Sequence, residues 1–206
     1  MRIFAGLIFA LLALSPLPAL AMKFQFGTGG GLKVLVVSGE IKSGDARRLA
    51  RALEDVERDR HGAKRLYLES DGGLVSEALK MAEIIQSEGV ATIVRKDAIC
   101  ASACASVLFV AGKYRTVEPG GLLAIHGCYD SLTGRGASEC NAAISAHADA
   151  AGVSGLTMMA LQEAAGSDAM IIFEADDATC FGLTLKPGAR PSTKTPPCIR
   201  KVLGVR

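Results

Sequence analysis

Three places in the sequence carry residues that together could cleave an acyl bond: the Gly72-Gly73 pair, Ser102 and His126. A serine hydroxyl becomes a useful nucleophile only with a base within hydrogen-bond reach, and histidine is the usual base near neutral pH. Paired glycines after a strand let backbone N–H groups turn toward a ligand, as a developing oxyanion needs. Ser102 sits at the start of a small-residue apolar segment, where a helix N-terminus would favour negative charge. Singly, each has a plainer explanation. A Gly-Gly pair is an ordinary turn, a serine among alanines is ordinary helix packing (as Ser106 is read), and one of three histidines is more often structural. Their order and spacing along the chain make them a set.

The elements that must position them follow from apolar periodicity. Residues 32–37 are a Val-rich run and predict a buried strand, followed by a helix over 45–60 with Leu49, Leu53 and Val56 on one face. A strand at 66–68 runs into Glu69-Ser70-Asp71-Gly72-Gly73, and a helix over 74–87 follows. A strand at 90–94 comes next, and then a helix over 100–112. The strand at 122–125 delivers His126 at its end. Further helices are expected at 138–151 and 155–165, a strand at 170–173 and a short helix at 176–180. Strands alternating with helices predict an α/β domain with a largely parallel sheet. Residues 22–32, with Gly29-Gly30-Gly31, lack the Lys-Ser/Thr pair of a phosphate loop and predict a flexible lead-in. Residues 187–206 predict an irregular, Pro-rich, basic tail.

Composition narrows the class. Residues 1–21 combine Arg2, an apolar run from Ile3 to Leu14 and Ala19-Leu20-Ala21, which reads as a signal peptide cleaved after Ala21. No later segment reaches the length of a membrane span, so a soluble exported protein, periplasmic or otherwise, is expected. Lys plus Arg total 23 against 21 Asp plus Glu, a net charge of +2, which argues against a nucleic-acid partner. Six cysteines, an even number, fit an oxidising compartment better than zinc, since no paired C-x2-C knuckles occur; no metal site is expected. Cys128 and Cys140 flank a polar loop they could close, and Cys180 and Cys198 could tie the tail to the body. Cys100 and Cys104, one turn apart on the expected helix, are read as small apolar packing residues rather than a bonded pair.

The set Ser70-Asp71-Gly72-Gly73, Cys100-Ala101-Ser102-Ala103-Cys104, Ala111-Gly112 and Ile125-His126 resembles the Clp protease/crotonase superfamily, in particular its exported Clp-like branch. The resemblance covers residues 33–127 well and 128–186 in outline. It implies a repeated β-β-α spiral over 33–186 and a serine peptidase that needs no cofactor. It also implies a polypeptide substrate and assembly into homo-oligomers. Carried over, it makes Ser102 the nucleophile, His126 the base and the N–H groups of Gly73 and Ala103 the oxyanion hole. The closing acid of the triad falls on Asp168, with Asp149 as the alternative. Two features depart from the family. Asp71 stands where the family has Pro, either capping the next helix or pointing into the site. The run from Ser102 to Gly112 is also one residue longer, which either rotates the serine away or is absorbed as a bulge. A Clp-fold binding or assembly protein without turnover is the alternative function.

Overall fold

Strand β2 (Leu32–Ser38) buries Val34, Leu35 and Val37, and every later layer is built outward from it. The computed structural model describes residues 22–130 and 132–202. The expected signal peptide and the last four residues of the expected tail lie outside these. Strand β3 (Lys64–Glu69) pairs parallel to β2, β4 (Val90–Val94) parallel to β3, and β6 (Tyr114–Val117) parallel to β4. With β1 (Lys23–Gly29) on the outside, the order is β1-β2-β3-β4-β6. A second sheet has the order β5-β7-β8, from β5 (Ile99–Ala101), β7 (Leu122–Ile125) and β8 (Ile171–Phe173). The two sheets meet where Ser70, one residue past β3, bridges Cys100 on β5. The chain is thus a mixed α/β fold with a mostly parallel sheet.

Helices α1 (Asp45–Glu54) and α2 (Val75–Ser87) pack on each other, and α2 also packs on a π-helical segment, Cys104–Phe109. The inward apolar residues are Ala46, Leu49 and Leu53 from α1 and Ala78, Met81, Ala82 and Ile85 from α2. Helices α3 (Ser138–Ala150) and α4 (Gly155–Ala165) pack as a pair beside β7 and the π-helix. The short α5 (Ala175–Cys180) follows β8.

Several expectations are corrected. Residues 22–32 are no flexible lead-in: Lys23–Gly29 pairs antiparallel with β2 along its whole length, and Gly30-Gly31 forms the connecting turn. The strand escapes a hydrophobic pattern search because most of its side chains are exposed. Helix α1 stops at Glu54 with Asp55 as its C-cap, short of the expected residue 60, and Arg58 instead bridges Lys64. The tail is less irregular than expected, with α6 (Pro197–Val202) tied back by the Cys180–Cys198 disulfide.

The largest correction concerns 100–112. The segment opens as strand β5, turns at Ser102 and only then coils, as a π-helix. Ser102 has φ +56°, which breaks the expected helix between Cys100 and Cys104. That turn, in place of a helical rise, brings their Cα atoms to 5.2 Å, and the two form a disulfide. The expected Cys128–Cys140 and Cys180–Cys198 pairs are also bonded. A π-helix takes one more residue per turn-closing hydrogen bond than an α-helix, and Cys104–Phe109 coils in this way.

Candidate active site

Parallel pairing of β5 with β7 aligns Ala101 with Ala124, so the residues leaving the two strands emerge side by side. Ser102 donates its N–H to the Ala124 carbonyl at 2.8 Å, which locks the turn onto the strand that delivers His126. Its Oγ then lies 2.8 Å from His126 Nε2. On the other side of the ring, Nδ1 is 2.7 Å from the Gly127 carbonyl. A carbonyl can only accept, so Nδ1 carries a proton, and in the neutral form of the ring Nε2 is then bare and accepts from the serine hydroxyl. That is the tautomer a general base needs.

The Gly72-Gly73 turn forms the floor. Gly72 has φ +97°, and a Cβ there would stand 2.6 Å from Ser102 Cβ and 3.0 Å from Ala103 N, so only glycine permits this approach. Gly73, at φ +137°, is pressed in the same way against the backbone of Ile41. Hydrogen bonds from Ile41 N–H to Gly72 O and from Leu74 N–H to Ile41 O fix the turn from below. The buried Ser70 closes it, donating to Gly39 O at 2.5 Å and accepting the Gly72 N–H at 3.1 Å. The N–H groups of Gly73 and Ala103 have no hydrogen-bond partner among the described residues. Such donors beside a serine hydroxyl are what an oxyanion would require.

These residues line a cleft of about 520 Å³. Leu74, Val75, Ile144 and Met170 give it apolar walls. Tyr129, on the loop closed by the Cys128–Cys140 disulfide, lays its ring against His126 with centroids 5.7 Å apart. The sequence offered one hint of Tyr129, an aromatic three residues past the candidate base. Gly127 gave none, because its contribution is a backbone carbonyl.

The structure brings Ser102 and His126 together and leaves the expected acids apart. Asp168 is exposed in the turn after α4 and makes no hydrogen bond or ion pair with His126. Asp149 accepts the Gly155 N–H at 2.6 Å at the start of α4. The Gly127 carbonyl holds the ring nitrogen where the expected triad would place a carboxylate. Asp71 is exposed on the cleft rim, and α2 has no side-chain cap, so Asp71 does not cap that helix.

The sequence matches no protein-family model and no curated protein. Its fold does have solved counterparts. A mutant of the 1510-N membrane-bound stomatin-specific protease aligns with a TM-score of 0.56, over 72% of this chain and 75% of its own, at 16% identity. The likeness is one of fold. It places this mixed α/β architecture, with its mostly parallel sheet, beside that of a protease. Three disulfides point to an oxidising environment. No helix among the described residues is long and apolar enough to cross a membrane.

Proposed function

We propose that the protein is an exported, periplasmic-type serine hydrolase of Clp/crotonase-like fold, an endopeptidase acting on extended polypeptide. The observation that carries this reading is the Ser102 Oγ–His126 Nε2 hydrogen bond, with Nδ1 held by the Gly127 carbonyl. Ser102 attacks the scissile carbonyl as its proton passes to Nε2. The Gly73 and Ala103 N–H groups receive the oxyanion, and the imidazolium then protonates the leaving amine. Water, deprotonated by the same ring, resolves the acyl-enzyme. The reaction calls for no cofactor. A carbonyl in place of Asp168 keeps the ring's tautomer and orientation but stabilises the imidazolium less than a carboxylate would. The proposal is therefore a Ser-His dyad with a backbone orienting group.

The fold likeness to a protease and the unpartnered N–H pair support the same reading. The signal peptide at 1–21, the Clp-like domain over 33–186 and the basic arm at 187–206 belong to this proposal. Association into a homo-oligomer does too, with exposed Leu156 and Ile172 as apolar surface for it. The missing carboxylate is the one observation that favours the alternative, a Clp-fold binding or assembly protein without turnover. Fluorophosphonate labelling separates the two. An activated serine reacts, and peptide mapping then finds the adduct on Ser102. A folded protein inert to the probe at every pH removes the hydrolase.

A further inference from the structure

Ser102 lies inside the smallest covalent ring of the fold. Cys100 lies in strand β5 two residues before it, Cys104 begins the π-helix two residues after it, and their disulfide closes the chain around the serine. Both cysteines are fully buried. The bond is not needed to hold β5, which is already paired parallel with β7 and bridged to Ser70. What it encloses is the one strained position of the site: Ser102, at φ +56°, in a backbone region that residues other than glycine seldom occupy. The same ring contains Ala103, whose N–H has no hydrogen-bond partner among the described residues to fix its direction.

Resting on the hydrolase reading above, we infer that the Cys100–Cys104 disulfide is a positioning crosslink for the nucleophile, holding the Ser102 hydroxyl and the Ala103 N–H in their reactive arrangement. The chain with these two thiols reduced is folded but poorly reactive. Closing the ring converts two thiols to one disulfide, and the two electrons and two protons pass to a thiol–disulfide oxidant of the exporting compartment, itself reduced to a dithiol. The hydrolase is therefore weakly reactive while the chain is in a reducing compartment and gains activity on oxidation.

The test compares the purified oxidised protein with two double variants, Cys100→Ala/Cys104→Ala and, as a control, Cys180→Ala/Cys198→Ala. The rate of fluorophosphonate acylation is followed against probe concentration, at a temperature where near-UV circular dichroism shows all three folded. The expected result is a fall of about tenfold or more in the maximal acylation rate of the first variant, since small displacements of a reacting group cost that much. Its half-saturating probe concentration stays close to that of the parent, and the control variant acylates at the parent rate. Equal rates in the parent and the first variant overturn the inference. An equal loss in both variants also overturns it, because that marks a general effect of lost crosslinks. A parent protein that never acylates removes the hydrolase reading, and the inference falls with it.

Should the first variant not fold, the comparison is made within the parent protein. Stepwise reduction with a phosphine is followed by alkylation and mass mapping of each disulfide. Acylation that falls in step with opening of Cys100–Cys104, and returns on re-oxidation, supports the inference. Acylation that persists in molecules with that bond open overturns it.

Discussion

Gly72 and Ser102 are packed so closely that a single methyl group on Gly72 would stand 2.6 Å from the serine Cβ. The contact ties the Gly72-Gly73 turn to the residue expected to react, and it explains why the sequence has a glycine there. Gly72 also has φ +97°, so any side chain adds backbone strain to the collision.

Gly72→Ala should therefore lower stability by about 1–3 kcal/mol through strain alone and displace Ser102 as well. Fluorophosphonate acylation should fall by about a hundredfold, the cost of shifting a reacting atom by roughly an ångström. Urea titration and labelling kinetics on the same protein check both. A variant that acylates at the parent rate shows that the turn does not position the nucleophile.

Ser102 and His126 should behave as one unit. Ser102→Ala and His126→Ala should each abolish peptide hydrolysis, and the double variant should be little worse than either, because members of a dyad are strongly non-additive. Ser106 is the natural control: its Oγ donates to the Ser102 carbonyl at 2.9 Å, so it is engaged with the backbone and not with the base. Ser106→Ala should keep activity within about threefold, the loss of one ordinary hydrogen bond near the site. Multiplying effects of the two dyad substitutions would count against a shared step.

Much of this site was legible in the sequence, and what was not has physical causes. His126 at the end of β7 could be read because Leu122–Ile125 is a short apolar run with a polar stop. Gly72-Gly73, an ordinary turn by itself, could be read through its order and spacing with Ser102 and His126. The backbone at Ser102 could not, since a run of Ala, Ser and Cys has neither a two-residue nor a 3.6-residue pattern, and no residue type there announces φ +56°. The Cys100–Cys104 bond was missed for the same reason: it depends on that turn. Strand β6 was hidden because one of its inward residues is Arg115, which breaks the expected alternation. The ring-orienting group was hidden because it is a main-chain carbonyl, whereas the family resemblance implies a carboxylate and puts it on Asp168, which is exposed.

Arg115 predicts the largest effect on stability away from the cleft. Its guanidinium is buried with no carboxylate partner among the described residues, and burial pushes its pKa down to about 10. It is held by four carbonyls: Leu183 through Nε at 2.8 Å, and Val110, Gly112 and Ala151 through Nη1 at 3.1–3.3 Å. It thereby joins the end of the π-helix segment to the ends of α3 and α5. Arg115→Met keeps the apolar stem but leaves these buried acceptors without donors, at about 1–3 kcal/mol for each one that water does not reach. A total loss of about 3 kcal/mol or more is expected in urea titration. Arg115→Lys should recover part of it, because an ammonium can reach some of the carbonyls but lacks the planar fork. A Met variant as stable as the parent would mean that the four carbonyls find other donors.

His147 predicts how stability depends on pH. It sits in the last turn of α3, half-buried, and its Nε2 lies 3.1 Å from the Val107 carbonyl in the π-helix that follows Ser102. Burial lowers its pKa below the ordinary 6.5, outweighing the opposing effects of the Val107 carbonyl and the Glu83 carboxylate. Above pH 6.5 the ring is neutral in both the folded and the unfolded chain, so it adds no pH dependence there. As pH falls below 6.5 the unfolded ring takes up a proton first. Stability therefore drops, and it levels off once pH passes below the folded pKa, where both states are charged. His147→Gln, which keeps an N–H for Val107 but cannot titrate, should flatten this part of the profile. Parent and variant are compared by urea titration at steps from pH 7.5 to pH 4.5, with the difference in slope below pH 6.5 as the readout. Parallel curves would show that the buried ring is solvated well enough to titrate as it does in the unfolded chain.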